Sequence, residues 1–361
     1  MLHVTQPTDG GVAAYVLRLL RSQLESGWVV SVASPAGEFS TEVVGAGGRW
    51  LEWDAGRSPG PMVPAETRAL AAVAGRAGAD VIHLHSSKAG LAGRLNRRMA
   101  PRIFQPHGWS WDAVGPTAGR VVRAWERFAA GRCDLLICVS EEERTRGEAA
   151  GLNAPWCVIE NAVDLERFPR CDDSDRAAAR EELGLPSGPL AVCVGPLRHQ
   201  KGQDLLLTAW PLVRREIPDA TLVLVGAGSE RDRLESLAGP GVVFAGHRED
   251  VVTWLAAAVV VTIPSRWDGL SLSLLEAMSC ARSVVATDTP GAGRVLNGGG
   301  EVVPIGDTGA LAGALTTRLR DPSLAAAEGD RGRARVEQDF DWRRVIEQMN
   351  AAYGRVISGQ P

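Results

Sequence analysis

Short apolar runs alternate with stretches of helical periodicity along nearly the whole chain. In the first part, runs at residues 2–6, 29–33, 81–85, 103–106, 135–139 and 158–159 read as strands. Helical patterns lie between them at 12–26, 65–75, 88–99 and 118–131, and a further helix starts at Glu141, with Ser140 placed to cap it. A polar stretch at 169–175, Pro-Arg-Cys-Asp-Asp-Ser-Asp, breaks the rhythm. The alternation then restarts, with strands at 190–194, 221–225, 242–244, 259–263 and 283–286. Helices fall at 203–216, 230–237 and 250–257, another follows the strand at 259–263, and helical segments begin at Gly309, Leu324 and Asp341. Nearly continuous apolar strands separated by helices are the mark of parallel sheets covered on both faces. The pattern predicts an α/β chain of two Rossmann-like domains, residues 1–165 and 166–340, with the helix at 341–361 expected to pack back on the first.

In such sheets ligands bind beyond the carboxyl ends of the strands, so residues just after each strand carry the chemistry. The richest stretch follows the strand at 259–263 and runs from Ser265 through Asp268, Gly269, Leu270, Ser271 and Leu272 to Glu276 and Met278. It reads as a turn followed by a helix led by small polar residues, with Asp268 in the turn and Glu276 inside the helix. Free N–H groups and the positive dipole end at a helix start favour a phosphate, and an acid one or two turns further in can accept from sugar hydroxyls. A nucleotide sugar fits this arrangement, and an ordinary strand–turn–helix unit with surface acids is the plain alternative.

Other strand ends add to it. Gly10-Gly11 opens the first helix, where the missing Cβ lets a ligand approach the backbone. Gly195 begins a turn that holds Arg198 and Lys201, two cations suited to a leaving diphosphate. Gly226 lies in a strand–Gly-x-Gly–helix turn without the third glycine of a dinucleotide site. His247 and Arg248 follow the next strand, and His107 follows the strand at 103–106. His83 and His85 point to one side of their strand, but a metal would need a third ligand and the sequence offers no convincing one. Asp173-Ser174-Asp175 matches an Asp-x-Asp metal motif, yet it sits ahead of a helix, where capping explains it better.

At 361 residues the chain is too long for one ordinary core, and its 45% apolar and 23% charged content is globular. The formal charge of −4 argues against a nucleic-acid partner. Six scattered cysteines without a CxxC pair suit reduced thiols in a cytoplasm. No apolar run approaches the roughly 20 residues of a membrane span.

Taken together these segments resemble the retaining glycosyltransferases of family four, whose donor signature is Glu-x7-Glu after a Pro-Ser that closes a strand. Here Asp268 stands at the first acid and Glu276 at the second. The resemblance implies a GT-B fold, two facing Rossmann-like domains with an interdomain cleft, the first holding the acceptor and the second the donor. It implies that Arg198 and Lys201 grip the diphosphate, Glu276 the ribose, and that Asp268 and His107 meet the transferred sugar. Gly10 and Gly11 would face the donor's distal phosphate and sugar, and Gly226, His247 and Arg248 the nucleoside. Gly195, Gly269, Leu270, Ser271 and Leu272 complete the donor loops. The implied reaction retains configuration, uses a UDP- or GDP-sugar, and needs neither metal nor cofactor. Its acceptor is a saccharide, a lipid-linked saccharide or a small molecule. A nucleotide-sugar epimerase of the same architecture is the alternative. Relatives of this kind often work at the inner face of the plasma membrane. The cations Lys88, Arg94, Arg97, Arg98, Arg102, Arg120, Arg123, Arg127 and Arg132, with Trp109, Trp111 and Trp125, suit a peripheral contact there. Solvated helix faces and core tryptophans are the competing explanation.

Overall fold

A computed structural model describes residues 1–96 and 99–359 and divides into two compact units. Unit 1 comprises Met1–Glu160 and the carboxyl-terminal segment from Arg343, and unit 2 comprises Asn161–Trp342. The last helix, Trp342–Ser358, thus belongs almost wholly to unit 1.

Unit 1 carries strands β1 Leu2–Thr5, β2 Ser31–Ser34, β3 Arg49–Glu52, β4 Ile82–His85, β5 Arg102–Gln105, β6 Leu135–Cys138 and β7 Trp156–Val158. All pair in parallel, in the order β3-β2-β1-β4-β5-β6-β7. Unit 2 carries β8 Leu190–Val194, β9 Thr221–Val225, β10 Val242–Gly246, β11 Val260–Ile263, β12 Ser283–Thr287 and β13 Gly300–Val303, parallel in the order β10-β9-β8-β11-β12-β13. In both units the chain winds outward one way from the first strand and then returns to wind the other way. The central strands are buried along their whole length, including the histidines and threonines that interrupt the apolar runs of β1 and β4.

The edge strands are where the sequence pattern is weakest. Strand β3, Arg-Trp-Leu-Glu, lies at the end of its sheet with both ends exposed, and neither it nor the preceding helix Glu38–Gly45 stands out as an apolar run. Strand β13, Gly-Glu-Val-Val, is likewise an edge strand, at the end of the unit 2 sheet opposite β10. The polar joint also differs from expectation, because the helix Asp173–Glu182 begins inside it. Asp172 accepts from the N–H groups of Ser174 and Asp175 at 2.8 and 3.0 Å, and Asp175 accepts from Asp172 N–H at 2.8 Å. Asp175 of the Asp-x-Asp motif is therefore engaged in a reciprocal helix cap, while Asp173 pairs with Arg176 at 2.8 Å.

Several residues offered above as a membrane-facing patch are internal. Lys88 is buried against Glu66 at 2.6 Å and donates to Ser58 O. Arg94, fully buried, forks onto Glu126 at 3.0 and 2.8 Å and lies 3.8 Å over the ring of Phe104. Breaking such a pair by removing one partner costs about 3–5 kcal/mol, so these cations serve the interior. Trp109 and Trp111 are buried and stacked at 4.4 Å. Arg97 and Arg98 lie outside the described residues. Among the described residues the six cysteines are free, and no helix is long and apolar enough to cross a membrane.

The loops after β5 and β6 are tied together by one buried acid. Glu143 accepts from Gly108 N–H at 2.5 Å with one carboxylate oxygen and from Val139 N–H at 2.7 Å with the other. Its backbone carbonyl accepts from Trp109 Nε1–H at 2.8 Å. Burial pushes its carboxyl up to about 7 despite the two N–H donors, which favour the ionised form. A folded-state pKa above the ordinary 4.5 means that the folded chain holds the extra proton. This stability is full below that ordinary value and fades as pH rises through about 7. Melting temperature measured from about pH 5 to 7.5 should thus contain a downward term in the wild type that Glu143→Gln, which does not titrate, lacks. Parallel curves for the two proteins would refute the assignment.

Candidate active site

In unit 2 the strand order reverses between β8 and β11, since β8 leads to β9 on one side and β11 to β12 on the other. Their following loops diverge and leave the crevice in which open α/β sheets bind ligands. The loop after β8 forms a short helical turn at His199–Lys201, preceded by Arg198 in extended conformation. The loop after β11 runs from Pro264 to Ser271, where the helix Leu272–Ser279 begins.

The two loops meet through side chains. Lys201 Nζ lies 2.5 Å from Asp268 Oδ2, with both groups mostly buried. Ser265 Oγ donates to the same oxygen at 3.4 Å. Gln200 Nε2 donates to Trp267 O at 3.1 Å, and Arg266 N–H returns to Gln200 O at 2.8 Å. Arg266 also forks onto Asp204 at 2.7 and 2.8 Å, which ties the loop to the helix Gln203–Glu216. Behind them Asn161 Nδ2 donates to Leu270 O at 2.6 Å. The turn around Gly269 is thus set by cross-loop bonds before any ligand arrives.

Ser271 occupies the N-cap position of the next helix, yet its hydroxyl makes no cap bond; it is buried and has no hydrogen-bond partner. The first-turn N–H groups of this helix, at Leu272 and beyond, receive no side-chain cap. An uncapped helix start with an unused buried hydroxyl beside a cation is chemically an anion seat. Glu276 sits one turn further in and is half-buried.

Gly226 has a packing reason of its own. A Cβ there would stand 2.1 Å from Gly195 O, because the loops after β8 and β9 touch backbone to backbone. Gly195 N–H donates to Val225 O and Gly226 N–H to Gly246 O, which stitches three strand ends together. A Cβ at Gly195, by contrast, would meet the Lys201 stem at 3.9 Å or more. His247 is exposed, and Arg248 forks onto Asp250 at 2.8 and 2.7 Å over Trp254. These two residues end an edge strand, two positions from β8, and the structure does not group them with the Lys201–Asp268 pair.

In unit 1 the reversal falls between β1 and β4. Gly10 and Gly11 are exposed, and the helix Gly10–Glu25 starts with them, two residues earlier than its apolar pattern suggests. Here the structure corrects the reading of His83 and His85: a third histidine, His3, stands on β1 in register with His83. Ligand atoms of the three all lie within 4.8 Å of one another. They form part of a longer hydrogen-bonded array. His3 Nδ1 lies 2.9 Å from His85 Nε2, and His85 Nδ1 lies 3.0 Å from His107 Nε2. Gln23 presents Oε1 to His3 Nε2 at 2.8 Å, and His83 Nδ1 lies 2.9 Å from Tyr353 OH. Burial lowers the pKa of His3 to about 4 and of His107 to about 3, and holds His83 and His85 well below the ordinary value. All four are neutral at pH 7. His107 has a positive φ of 54° and is half-buried, with Tyr15 packed edge-on at 5.0 Å.

Residues 9–167 match the family described as Glycosyltransferase Family 4, and residues 188–321 match the family described as Glycosyl transferases group 1. The chain is 34% identical over 272 residues to the GDP-mannose-dependent alpha-(1-6)-phosphatidylinositol monomannoside mannosyltransferase of Mycolicibacterium smegmatis, covering 70% of each protein. It is 31% identical over 245 residues, 63% of this chain and 68% of the relative, to the lipopolysaccharide core biosynthesis mannosyltransferase LpsB of Rhizobium meliloti. Among solved structures, sucrose-phosphate synthase from Thermosynechococcus elongatus superposes with a TM-score of 0.86 over 99% of both chains at 24% identity, which shows the shared GT-B fold. The two Rossmann-like sheets, the donor-type loops and these relatives lead to one conclusion: the chain belongs to the family-four glycosyltransferases and is a hexosyltransferase that uses a nucleotide sugar.

Proposed function

We propose that this enzyme transfers mannose from a GDP-linked donor to a lipid-linked saccharide, with retention of configuration and without a metal ion. The observation that carries this reading is the Lys201–Asp268 pair beside the uncapped start of the helix Leu272–Ser279. An arriving diphosphate offers Lys201 a doubly charged partner in place of Asp268. Lys201 then turns to the phosphates with Arg198, and the released Asp268 carboxylate accepts from sugar hydroxyls. Helix-start N–H groups and the Ser271 hydroxyl complete the anion seat, and Glu276 accepts from the ribose. His107 positions the transferred sugar. These groups supply the positive field that a divalent ion provides elsewhere.

No carboxylate of the donor loops is free to act as an inverting base in this scheme, since Asp268 and Glu276 are both spent on hydroxyls. The bond from C1 to the diphosphate oxygen breaks, that oxygen takes the proton of the acceptor hydroxyl, and the new C1–O bond forms on the same face. Mannose, GDP and a lipid-linked acceptor are favoured because both relatives are named mannosyltransferases. One is named for GDP-mannose and a phosphatidylinositol mannoside, the other for the lipopolysaccharide core.

An exposed apolar and basic surface supports the acceptor class. The helix Pro116–Ala130 exposes Val121 and Phe128, seven residues apart on one face, with Val114 exposed just before it. Arg120 and Arg127 are exposed beside them, and Arg132 lies 4.0 Å over the Phe128 ring. Anionic headgroups attract such cations by about 1 kcal/mol each.

Lys201→Ala should lower turnover on the order of 10²–10³-fold with the fold intact, as removal of a preorganised charge at a leaving group does. Near wild-type turnover in both Lys201→Ala and Arg198→Ala would sink the assignment. With an α-linked GDP-mannose, NMR of the product should show an α linkage, formed at the same rate in excess EDTA. A β product, or collapse in EDTA, contradicts the mechanism. The protein should co-sediment with vesicles containing anionic lipid at moderate salt, and Val121→Asp with Phe128→Asp should abolish this. A supernatant protein at every lipid composition removes the membrane contact from the proposal.

A further inference from the structure

Three links run in line through unit 1: His107 Nε2 to His85 Nδ1 at 3.0 Å, His85 Nε2 to His3 Nδ1 at 2.9 Å, and His3 Nε2 to Gln23 Oε1 at 2.8 Å. We infer that Gln23 is a positioning residue that fixes the ring tautomer of His107 through this chain. The inference rests on the reading above that His107 meets the transferred sugar, and it says in which chemical form His107 does so.

The reasoning is a matter of counting protons. A neutral imidazole has one N–H and one lone pair, so a ring that donates on one side must accept on the other. Gln23 Oε1 can only accept, so His3 carries its proton on Nε2 and offers the lone pair of Nδ1. His85 therefore donates from Nε2 and offers Nδ1, and His107 in turn donates from Nε2. All three rings are thereby set as Nε2–H tautomers, and the ring nitrogen left to His107 for a substrate is an acceptor, Nδ1. A sugar hydroxyl can donate to it, but a phosphate or carbonyl oxygen cannot pair with it. The single amide at the buried end thus decides which ligand group the half-buried end can receive. Burial keeps every ring of the chain neutral, as the one-proton count requires.

The same residues raise a rival explanation, a metal held by His3, His83 and His85. Two nitrogens bound to one tetrahedral zinc ion at 2.0–2.1 Å stand about 3.3 Å apart. His3 Nδ1 and His85 Nε2, at 2.9 Å, are at the separation of a shared proton instead.

Long-range proton–nitrogen NMR of the substrate-free protein with labelled histidines reads each tautomer directly, with His3→Phe, His85→Phe and His107→Phe used for assignment. The expected wild-type result is Nε2–H for His3, His85 and His107. Gln23→Met removes the terminal acceptor and should give His107 a mixture of tautomers. It should also lower kcat/KM by roughly two- to tenfold, the range spanned by loss of one hydrogen bond. In a His107→Ala background the same substitution should produce no further loss, which a merely structural role for Gln23 would not predict. Nδ1–H rings in the wild type, an unchanged His107 tautomer in Gln23→Met, or one equivalent of tightly bound zinc in the purified enzyme would each overturn the inference. The wild-type spectrum alone decides if the variant does not fold. A tautomer shift without any change in rate supports the chain and overturns the sugar-positioning role of His107.

Discussion

The whole arrangement depends on a property of parallel sheets: crossovers have one hand, so a chain that winds outward must return to the middle before it can wind the other way. At the return the two neighbouring strands send their loops apart. In unit 2 these are the loops after β8 and β11, and in unit 1 the loop after β1 and the helix start after β4. Charged and polar residues gather there because the rest of the sheet is covered on both faces. Much of each opening is already braced by the chain's own side chains.

The bracing has an electrostatic logic. Lys201 and Asp268 stand in a mostly buried position where either charge alone would be costly, and each lowers the cost of the other. The Arg266–Asp204 fork beside them is locked by two hydrogen bonds and further contacts to Gln200 and His199. One ion pair is single-bonded and faces an uncapped helix; the other is bidentate and faces its own backbone. In the proposed reaction the first exchanges partners with the diphosphate, whereas the second holds the frame within which the exchange occurs.

Much of this was legible in the chain. The apolar runs mark all the central strands, and the strand-end rule selects Lys201, Asp268 and His107 individually. The Lys201–Asp268 contact was not legible, because it joins residues 67 positions apart. The third histidine was missed for a similar reason: His3 meets His83 only because β1 and β4 are adjacent, an adjacency that the doubly wound order would have supplied. Glu143 hid in a run of three glutamates that looks like a solvated helix start. Its spacing after Ser140 is the usual capping-box signal, although its carboxylate serves Val139 and Gly108 instead of the N-cap amide. Lys88 and Arg94 were read as surface cations because nothing local reveals Glu66 or Glu126 waiting in the interior.

The backbone contact between Gly226 and Gly195 has a consequence for how such enzymes can diversify. With a Cβ excluded at position 226 by the carbonyl of position 195, the ends of β8 and β9 can drift only as a matched pair. A single substitution at Gly226 shifts the loop that carries Arg198 and Lys201, and in the proposed donor site that would disturb every donor at once. The exposed His247–Arg248 end of β10 is under no comparable steric bond beyond its fork to Asp250. The margin of the sheet can therefore accept side-chain changes that its middle, where the backbones touch, cannot.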